Sequence, residues 1–255
     1  MTKTEKFLKR IGLNPCTKIE HTYDFLKLIQ YNSVITIPYE NLDIINGKAI
    51  SLDADDIFEK IVEQGRGGFC FELNALLSWF LKEVGFEVKD YLARYLRRET
   101  TIPVRRHRIL AVKCTEGEYM CDIGVGQIAP KYPVKIVEDI LQTQLDEQYK
   151  FEKDACLGWV LNDFSKGEWR KFIAFTEENQ LEVDFIQPSF YCEKHPESIF
   201  NKTVMTAIKT PTGRKTINDR EYKEFTGTNV SYIEENISDE RLKELLEKEF
   251  FIKNI

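Results

Sequence analysis

Arg66-Gly67-Gly68-Phe69-Cys70-Phe71-Glu72-Leu73-Asn74 is the most unusual segment of this 255-residue chain. Its adjacent glycines allow the backbone to turn sharply and to approach a neighbouring segment closely. An apolar stripe at helical spacing follows and predicts a helix over 70–84, ended by Gly85. Cys70 then lies in the first helical turn, where free N–H groups and the helix dipole favour a thiolate and lower the thiol pKa. The alternative is a buried structural cysteine.

The composition is that of an ordinary globular protein, with 42% hydrophobic and 31% charged residues. The 36 basic and 42 acidic side chains give a net charge of −6, which argues against generic binding to nucleic acid or an anionic membrane. No apolar run approaches the roughly 20 residues that span a bilayer, and the first 20 residues do not resemble a signal peptide. We therefore expect a cytoplasmic protein with six reduced cysteines and no metal site.

Helical periodicity dominates residues 1–85, and strand-like alternation begins at residue 86. Further helices are predicted over 22–35, 51–64 and 239–250. Three hairpins are predicted: 108–112 with 118–123, 158–161 with 169–175, and 203–208 with 214–217. This order predicts an α+β fold with parts at 1–85, 86–190 and 191–255, packed as one body because no linker separates them.

A nucleophilic cysteine needs a base, and the base needs an orienting partner. His107 begins one strand of the first hairpin and Asp122 ends the other. A turn at Thr115-Glu116 would place Asp122 opposite Ile109, with His107 as its diagonal neighbour on the same face. A turn shifted by one residue would place them on opposite faces. The pattern permits a site of Cys70, His107 and Asp122, and leaves open a surface histidine and a strand-end aspartate.

Six arginines lie within fifteen residues around the predicted base. They are Arg94, Arg97, Arg98, Arg105, Arg106 and Arg108. In an acidic protein, such a patch could hold the phosphates of a cofactor. A solvated hairpin with charged faces fits the same pattern. Gly124-Val125-Gly126 is too short a signal for a nucleotide loop and favours close backbone approach to a substrate.

Several segments, in order from 37 to 213, resemble the arylamine N-acetyltransferase family. Residues 66–72 resemble its Arg-Gly-Gly-aromatic-Cys segment, and its Pro-Phe-Glu-Asn-Leu segment is matched by Ile37-Pro38-Tyr39-Glu40-Asn41-Leu42. Its His and Asp segments are matched by His107 and by Asp122-Ile123-Gly124-Val125-Gly126. Its His-Pro-x-Ser-x-Phe segment is matched by His195-Pro196-Glu197-Ser198-Ile199-Phe200, and the turn after it by Thr210-Pro211-Thr212-Gly213. The resemblance implies an N-terminal helical bundle carrying the cysteine (1–85), a central β-barrel carrying His and Asp (86–190) and a C-terminal α/β lid (191–255). It also implies a core of the cysteine-protease or transglutaminase type.

The resemblance further implies a Cys70–His107–Asp122 triad and ping-pong transfer of an acetyl group from acetyl-CoA. The acceptor would be the nitrogen of an arylamine, arylhydrazine or N-hydroxyarylamine, and acetyl-Cys70 would be the intermediate, so that two easier steps replace one difficult step. The backbone around Cys70 is one source of donors for the tetrahedral oxyanion. A Glu40–Arg66 ion pair would brace the loop. No metal is implied, and the protein is expected to be a monomer or weak homo-oligomer.

Ligand contacts are also carried over from the resemblance. Tyr39 and Val125 are expected to line the amine pocket. The expected contacts to CoA are Tyr191, Ser198, Val104, Arg105, Arg106 and Gly126. Glu197 is poorly suited to sit near a phosphate, and Pro103-Val104 replace small polar residues of some relatives. The arginine patch is one source of compensating phosphate contacts.

Three other functions fit parts of this pattern. A transglutaminase-like acyl transferase or peptidase shares the order Cys, His, Asp and would need no CoA, but the 195–200 segment argues against it. An amide synthase of the same family would need a much larger cleft and a carrier-bound chain. A non-catalytic protein that binds CoA or amines would have no use for an intact triad.

Overall fold

The computed structural model describes residues 1–97, 99–165 and 167–253. Within them the chain forms seven α-helices: α1 (Lys3–Arg10), α2 (Tyr23–Thr36), α3 (Leu42–Ile45), α4 (Ala54–Phe58), α5 (Cys70–Glu83), α6 (Ile186–Lys194) and α7 (Asp239–Glu249). The predictions of α2, α5 and α7 are confirmed, with Thr22 capping α2 and Gly85 at positive φ after α5. The predicted helix over 51–64 is instead α4 followed by a π-helical turn, Glu59–Glu63.

Thirteen strands lie in the same described ranges. They are β1 (Tyr39–Glu40), β2 (Glu87–Tyr95), β3 (His107–Cys114), β4 (Gly117–Cys121), β5 (Val134–Lys135), β6 (Gln142–Gln144), β7 (Glu147–Asp154), β8 (Gly158–Ser165), β9 (Glu168–Phe175), β10 (Met205–Thr210), β11 (Gly213–Asn218), β12 (Glu221–Thr226) and β13 (Asn229–Glu234). The three predicted hairpins are confirmed as β3–β4, β8–β9 and β10–β11.

The larger sheet has the order β5-β4-β3-β2-β9-β8-β7-β6 and curls into a nearly closed barrel. Its two edge strands are joined by side chains rather than by a full backbone ladder. The Lys135 N–H donates to Oε1 of Gln142 at 2.7 Å, and Nε2 of Gln142 donates back to the Lys135 carbonyl at 2.8 Å. The predicted α+β class with a central barrel is therefore confirmed.

Strand β3 is buried on both faces, which places it at the centre of the fold. Leu110 and Val112 pack against the helical core built on α5, whereas Ile109 and Ala111 point into the barrel interior. This explains the unbroken apolar run of the strand, because a strand covered on both faces needs no polar alternation. The contact of α5 with β3 sets the two elements that carry Cys70 and His107 against each other.

The smaller sheet has the order β1-β10-β11-β12-β13, and α7 covers it through an apolar core of its own. Strand β1 joins this sheet although it lies more than 160 residues before β10 in the chain. The C-terminal elements therefore pack directly beside the segment that precedes the glycine loop. The boundaries at 85/86 and 190/191 stay predictions, and Asn254 and Ile255 of the predicted lid lie outside the described residues.

Candidate active site

The glycine loop, residues 66–69, is held against β1 by close backbone contacts. The Glu40 N–H donates to the Gly68 carbonyl at 2.9 Å, and the Gly68 N–H donates to the Pro38 carbonyl at 3.3 Å. A Cβ on Gly67 would lie 2.1 Å from the Pro38 carbonyl oxygen. The predicted close approach is therefore confirmed, and a glycine at 67 is required by space.

Arg66 and Glu40 form the expected ion pair beneath this loop. Nε and Nη2 of Arg66 lie 3.0 and 2.7 Å from Oε1 of Glu40, and both residues are buried. The other oxygen of Glu40 accepts the Leu42 N–H at 2.8 Å. Since a buried charge needs a partner, loss of either side chain would leave an uncompensated charge under the loop.

Lys60 and Asp43 extend this network to α5, which the sequence alone did not predict. Nζ of Lys60 lies 2.7 Å from both Asp43 and Glu72, and Glu72 accepts the Phe69 N–H at 3.1 Å. Burial raises the pKa of Glu72 to about 7, although Lys60 opposes the rise. The N-terminal turn of α5 is therefore fixed by a chain of buried charges that begins at Arg66.

Cys70 is the first residue of α5 and is 3% exposed. Its Sγ lies 3.9 Å from the backbone carbonyl oxygen of Arg106, the residue before His107. Burial raises the pKa of the Cys70 thiol well above its ordinary value, helped by Cys192 and Asp122, while hydrogen bonds from the backbone N–H groups of Arg108 and Phe71 oppose the rise. The prediction of a lowered thiol pKa is wrong for this arrangement. It considered the helix dipole, which favours the thiolate, but not the burial, which disfavours it more strongly.

His107 and Asp122 meet directly. Nε2 of His107 lies 2.7 Å from Oδ2 of Asp122, and both side chains are buried. Pairing of Leu110 with Cys121 fixes the hairpin register, which continues to the predicted alignment of Asp122. The predicted contact is therefore confirmed. Among the described residues, Sγ of Cys70 makes no hydrogen bond to the imidazole, although Cys70 touches the Arg106 backbone beside it.

Asn74 is a site residue that sequence reasoning missed. Its Nδ2 donates to Oδ1 of Asp122 at 2.9 Å and to the Arg108 carbonyl at 2.5 Å, while its Oδ1 accepts the Ile123 N–H at 2.9 Å. Asn74 follows Cys70 by four residues, so the two share a helix face. That spacing was the available signal, and the contacts show that this one amide connects α5 to both arms of the hairpin.

Gln30 of α2 holds the backbone of Asp122 in place. Its Oε1 accepts the Asp122 N–H at 3.2 Å, and its Nε2 donates to the Pro130 carbonyl at 2.8 Å. The side chain is buried, so both ends of the amide are satisfied inside the protein. The backbone at Asp122 is therefore fixed by a helix that contributes no group to the proposed chemistry.

Substitution of Gly124 is expected to separate the hairpin from α5. A Cβ on Gly124 would lie 2.7 Å from Nδ2 of Asn74 and 2.8 Å from Cα of Cys70. Gly124→Ala should therefore lower kcat by about 100-fold, since a displacement of about 1 Å has an effect of that size. Gly47→Ala is the control, because Gly47 has positive φ and open space around it. It should lower stability by about 1 kcal/mol without changing kcat. A folded Gly124→Ala protein with wild-type turnover would contradict this prediction.

A profile of the N-acetyltransferase family matches residues 22–254. The arylamine N-acetyltransferase of Escherichia coli K12 is 31% identical over 193 residues, which are 75% of this chain and 68% of that protein. The chain belongs to the arylamine N-acetyltransferase family. This places it among acyltransferase enzymes. Arylamine N-acetyltransferase 1 of Bos taurus is 29% identical over 231 residues, covering 82% of this chain and 78% of its own.

Solved arylamine N-acetyltransferases have the same fold. The Salmonella typhimurium protein matches with a TM-score of 0.92 at 25% identity, covering 99% of this chain and 92% of its own. The Mycobacterium marinum enzyme in complex with CoA matches with a TM-score of 0.89 at 26% identity, covering 97% and 92%. The family fold therefore extends across nearly the whole chain.

The residues that the arylamine N-acetyltransferase resemblance assigned to the amine pocket lie together. Tyr39 packs against the buried cluster that contains Cys70, and Val125 packs against both the helical and the barrel core. Gly126 has φ +66°, and a Cβ there would lie 3.3 Å from the Tyr39 ring. Burial raises the pKa of Tyr39 well above its ordinary value, and the neighbouring Cys70 adds to the rise.

Two of the expected CoA contacts lie on and after α6. The Tyr191 ring stacks on His195 with centroids 4.3 Å apart. Ser198 is buried, and its hydroxyl donates to the Cys192 carbonyl at 2.5 Å and accepts the Phe200 N–H at 3.2 Å. In this arrangement both hydrogen bonds of the Ser198 hydroxyl go to the backbone of the protein. A direct contact between Ser198 and CoA stays a prediction, and it would require this hydroxyl to change partners.

The other expected contacts precede β3. Val104 is 49% exposed, and the Arg105 side chain is 34% exposed, with an exposed Glu178 carboxylate 3.9 Å away. Arg106 donates to Glu99 at 2.8 Å and lies over the Phe200 ring. Arg105 is thus the more open cation of the pair, and Arg106 connects the segment before β3 to the segment after α6.

Three of the six arginines are engaged within the protein, and phosphate binding by Arg105 and Arg106 stays a prediction. Arg108 is fully buried and donates to Asp90 and Glu182, and Arg97 pairs with Asp163. Arg94 donates to the Pro103 carbonyl. Arg98 lies outside the described residues. Carboxylates from other elements neutralise Arg97 and Arg108, and local sequence patterns do not indicate that pairing.

In the parts of the chain that the structure covers, no group of three or more His, Cys, Asp and Glu side chains is placed to hold a metal ion. None of the helices there is long and apolar enough to cross a membrane.

Proposed function

We propose that this enzyme transfers an acetyl group from acetyl-CoA to the nitrogen of arylamines, arylhydrazines or N-hydroxyarylamines by a ping-pong reaction through acetyl-Cys70. The observation that carries the proposal is the buried His107–Asp122 hydrogen bond of 2.7 Å beside a cysteine at the start of a helix. A thiol, an imidazole and an orienting carboxylate are the groups that acyl transfer through a covalent intermediate requires.

The first half-reaction begins with proton transfer from Cys70 to His107. Because burial disfavours an isolated thiolate, the charge is stabilised as a thiolate–imidazolium pair with Asp122 behind it. The sulfur attacks the thioester carbonyl, and the C–S bond to CoA breaks as the leaving thiol takes the proton from His107. The N–H groups of Cys70 and Phe71 lie in the first turn of α5, where no carbonyl of the helix can accept them. The Phe71 N–H contacts the Cys70 sulfur in the resting enzyme, and both groups are suited to bind the oxyanion.

The second half-reaction reuses the same groups in the opposite direction. The amine nitrogen attacks the carbonyl of acetyl-Cys70, His107 takes a proton from that nitrogen, and the C–S bond breaks to regenerate the thiol. Tyr39, Val125 and Gly126 offer an apolar surface with one phenol beside the sulfur, which suits an aromatic ring. The product is an amide when a primary arylamine is the acceptor.

We take residues 102–106, which precede β3, as the entrance to the site, and these residues fit a CoA donor. Arg105 and Arg106 would hold phosphate oxygens through charge-assisted hydrogen bonds. The exposed apolar side chains beside them suit the pantetheine arm: Ile102, Val104 and Ile199. Val104 and Arg105 directly precede Arg106, whose carbonyl contacts the Cys70 sulfur.

The experiment that tests this function is the intact mass of the protein after mixing with acetyl-CoA and no amine. We expect the wild type to gain one acetyl group at Cys70 and to lose it when an arylamine is added. A wild-type protein that stays unmodified would contradict the proposal, and donors attached to a carrier would then test the amide synthase alternative.

The cations at the entrance predict a specific effect on the donor. Arg105→Ala combined with Arg106→Ala should raise KM for acetyl-CoA by about tenfold or more, because charged hydrogen bonds contribute at least that much. KM for the arylamine should stay unchanged. Arg170→Ala, which removes an arginine paired with Glu168 on the β8–β9 hairpin, is the matched control. An unchanged KM for acetyl-CoA in steady-state kinetics would show that these side chains do not hold the phosphates.

A further inference from the structure

A second thiol, Cys192 of α6, lies next to the nucleophile and has no role in the proposed reaction. Its Sγ is 3.9 Å from the carbonyl oxygen of Arg106, the same oxygen that lies 3.9 Å from Sγ of Cys70. The two sulfurs are therefore separated by no more than twice that distance. Cys192 is 0% exposed and shares one buried cluster with Cys70.

Burial raises the pKa of both thiols, but the proposed reaction gives only Cys70 a base, His107. Burial raises the pKa of Cys192 to about 12, and the nearby Arg106 lowers it only in part. Cys192 therefore stays protonated, whereas Cys70 gives its proton to His107 in the proposed reaction cycle. Because the thiolate is the form that peroxides oxidise, an oxidant entering the site meets one reactive sulfur.

We propose that Cys192 is the resolving cysteine of a reversible redox modification, in which hydrogen peroxide oxidises Cys70 and a Cys70–Cys192 disulfide then forms. In the first step the Cys70 sulfur attacks a peroxide oxygen, the O–O bond breaks, and sulfenic acid and one water result. In the second step the Cys192 sulfur attacks the Cys70 sulfur, the S–O bond breaks, and the hydroxyl leaves as water with the Cys192 proton. The two thiols lose two electrons, and peroxide is reduced to two waters.

Formation of this bond requires a limited local movement. A disulfide has an S–S length of about 2.05 Å and both thiols are free here, so the two sulfurs must move closer together. Cys192 lies two residues before the end of α6, where the Ser198 hydroxyl holds its carbonyl at 2.5 Å. Cys121 is buried as well, but it packs in the helical core rather than in this cluster. Cys192 is thus the thiol placed to intercept a sulfenic acid before it becomes an irreversible sulfinic acid.

Peptide mapping tests the bond directly. The wild-type protein is treated with hydrogen peroxide, its free thiols are blocked with N-ethylmaleimide in denaturant, and its peptides are identified by mass. We expect a peptide pair joined through Cys70 and Cys192, with the other cysteines alkylated. Sulfinic acid at Cys70 together with alkylated Cys192 would overturn the proposal. The proposal relies on the reactivity of Cys70 inferred above, but mapping detects the bond without acetyl transfer, so the two can fail separately.

Recovery of activity provides the functional test. After peroxide treatment, dithiothreitol should restore most of the activity of the wild type and of the control Cys114→Ala, whose thiol lies at the far end of β3. Cys192→Ala should start with wild-type activity but recover less than about a tenth as much, because its Cys70 oxidises further. Cys192→Ser should behave in the same way and replaces the alanine variant if that variant does not fold. Equal recovery in the Cys192 variants and the wild type would overturn the proposal.

Discussion

Cys70→Ala is expected to lower acetyl transfer by at least about 10⁴-fold, because removal of a nucleophile eliminates the covalent route altogether. The variant should also gain no acetyl group from acetyl-CoA. The fold should persist, since Phe69, Phe71 and the Glu72–Lys60 contact that fix the start of α5 remain. Steady-state kinetics with an arylamine, together with intact mass, measures both effects.

The control for this substitution is Cys114→Ala, which removes a thiol from β3 outside the site. It should keep wild-type turnover and full acetylation. Thermal unfolding of both variants separates loss of chemistry from loss of fold. If a folded Cys70→Ala protein kept substantial turnover, or if an acetyl group appeared on another residue, the assignment of Cys70 as nucleophile would be wrong.

Local patterns were sufficient to predict the elements that carry the site. The apolar stripe after the glycines predicts α5, and the short turn at Thr115-Glu116 sets the hairpin register. Because side chains alternate with a period of two, that register alone decides whether His107 and Asp122 share a face. The contact between them therefore follows from local sequence, given the correct turn.

The features that sequence reasoning missed depend on residues far apart in the chain. Asn74 and Gln30 are ordinary polar residues of helices until the fold brings Asp122 against them. The pKa of Cys70 rises because α6, more than 110 residues away, helps to cover it. Arg97 is unavailable to a ligand for the same reason, since its partner Asp163 lies in another strand. Spacing along the sequence carries no information about such pairs.

Some elements were missed for local reasons. The apolar spacing over 51–64 predicts one continuous helix. In the structure, a π-helical turn with one extra residue per turn follows α4, and the apolar pattern does not distinguish the two. Helix α6 contains Pro188 and has no clear apolar stripe. This helix matters because it carries Cys192 and leads into residues 195–200. The sequence indicated a function for residues 195–200 only through the family resemblance.

Asp122→Asn is expected to lower kcat/KM by about 10⁴-fold while the protein stays folded. In the wild type, Oδ1 of Asp122 accepts from Asn74 at 2.9 Å and from the Gly124 N–H at 2.8 Å, and Oδ2 accepts from His107. An asparagine has one oxygen for these three donors. Its oxygen will face Asn74 and Gly124, because the opposite orientation would set its NH₂ group against two donors.

The amide NH₂ then faces Nε2 of His107 and donates to it. The imidazole proton must move to the other ring nitrogen, the one available to Cys70, so His107 can no longer accept the thiol proton. The imidazolium also loses its negative partner. Asp90→Asn is the matched control, because Asp90 is a buried carboxylate paired with Arg108 outside the proton path. It should lower the unfolding temperature and leave turnover within about tenfold of the wild type.

The two half-reactions distinguish an effect on the proton path from a displaced substrate pocket. His107 moves a proton in both acetylation of Cys70 and attack by the amine, so Asp122→Asn should slow both in single-turnover measurements by similar factors. A shifted pocket would alter one half-reaction and its KM more than the other. Near-wild-type rates in a folded Asp122→Asn protein would mean that another group orients His107. The structure leaves little room for one, because Nε2 of His107 is already engaged by this carboxylate within a buried set of contacts.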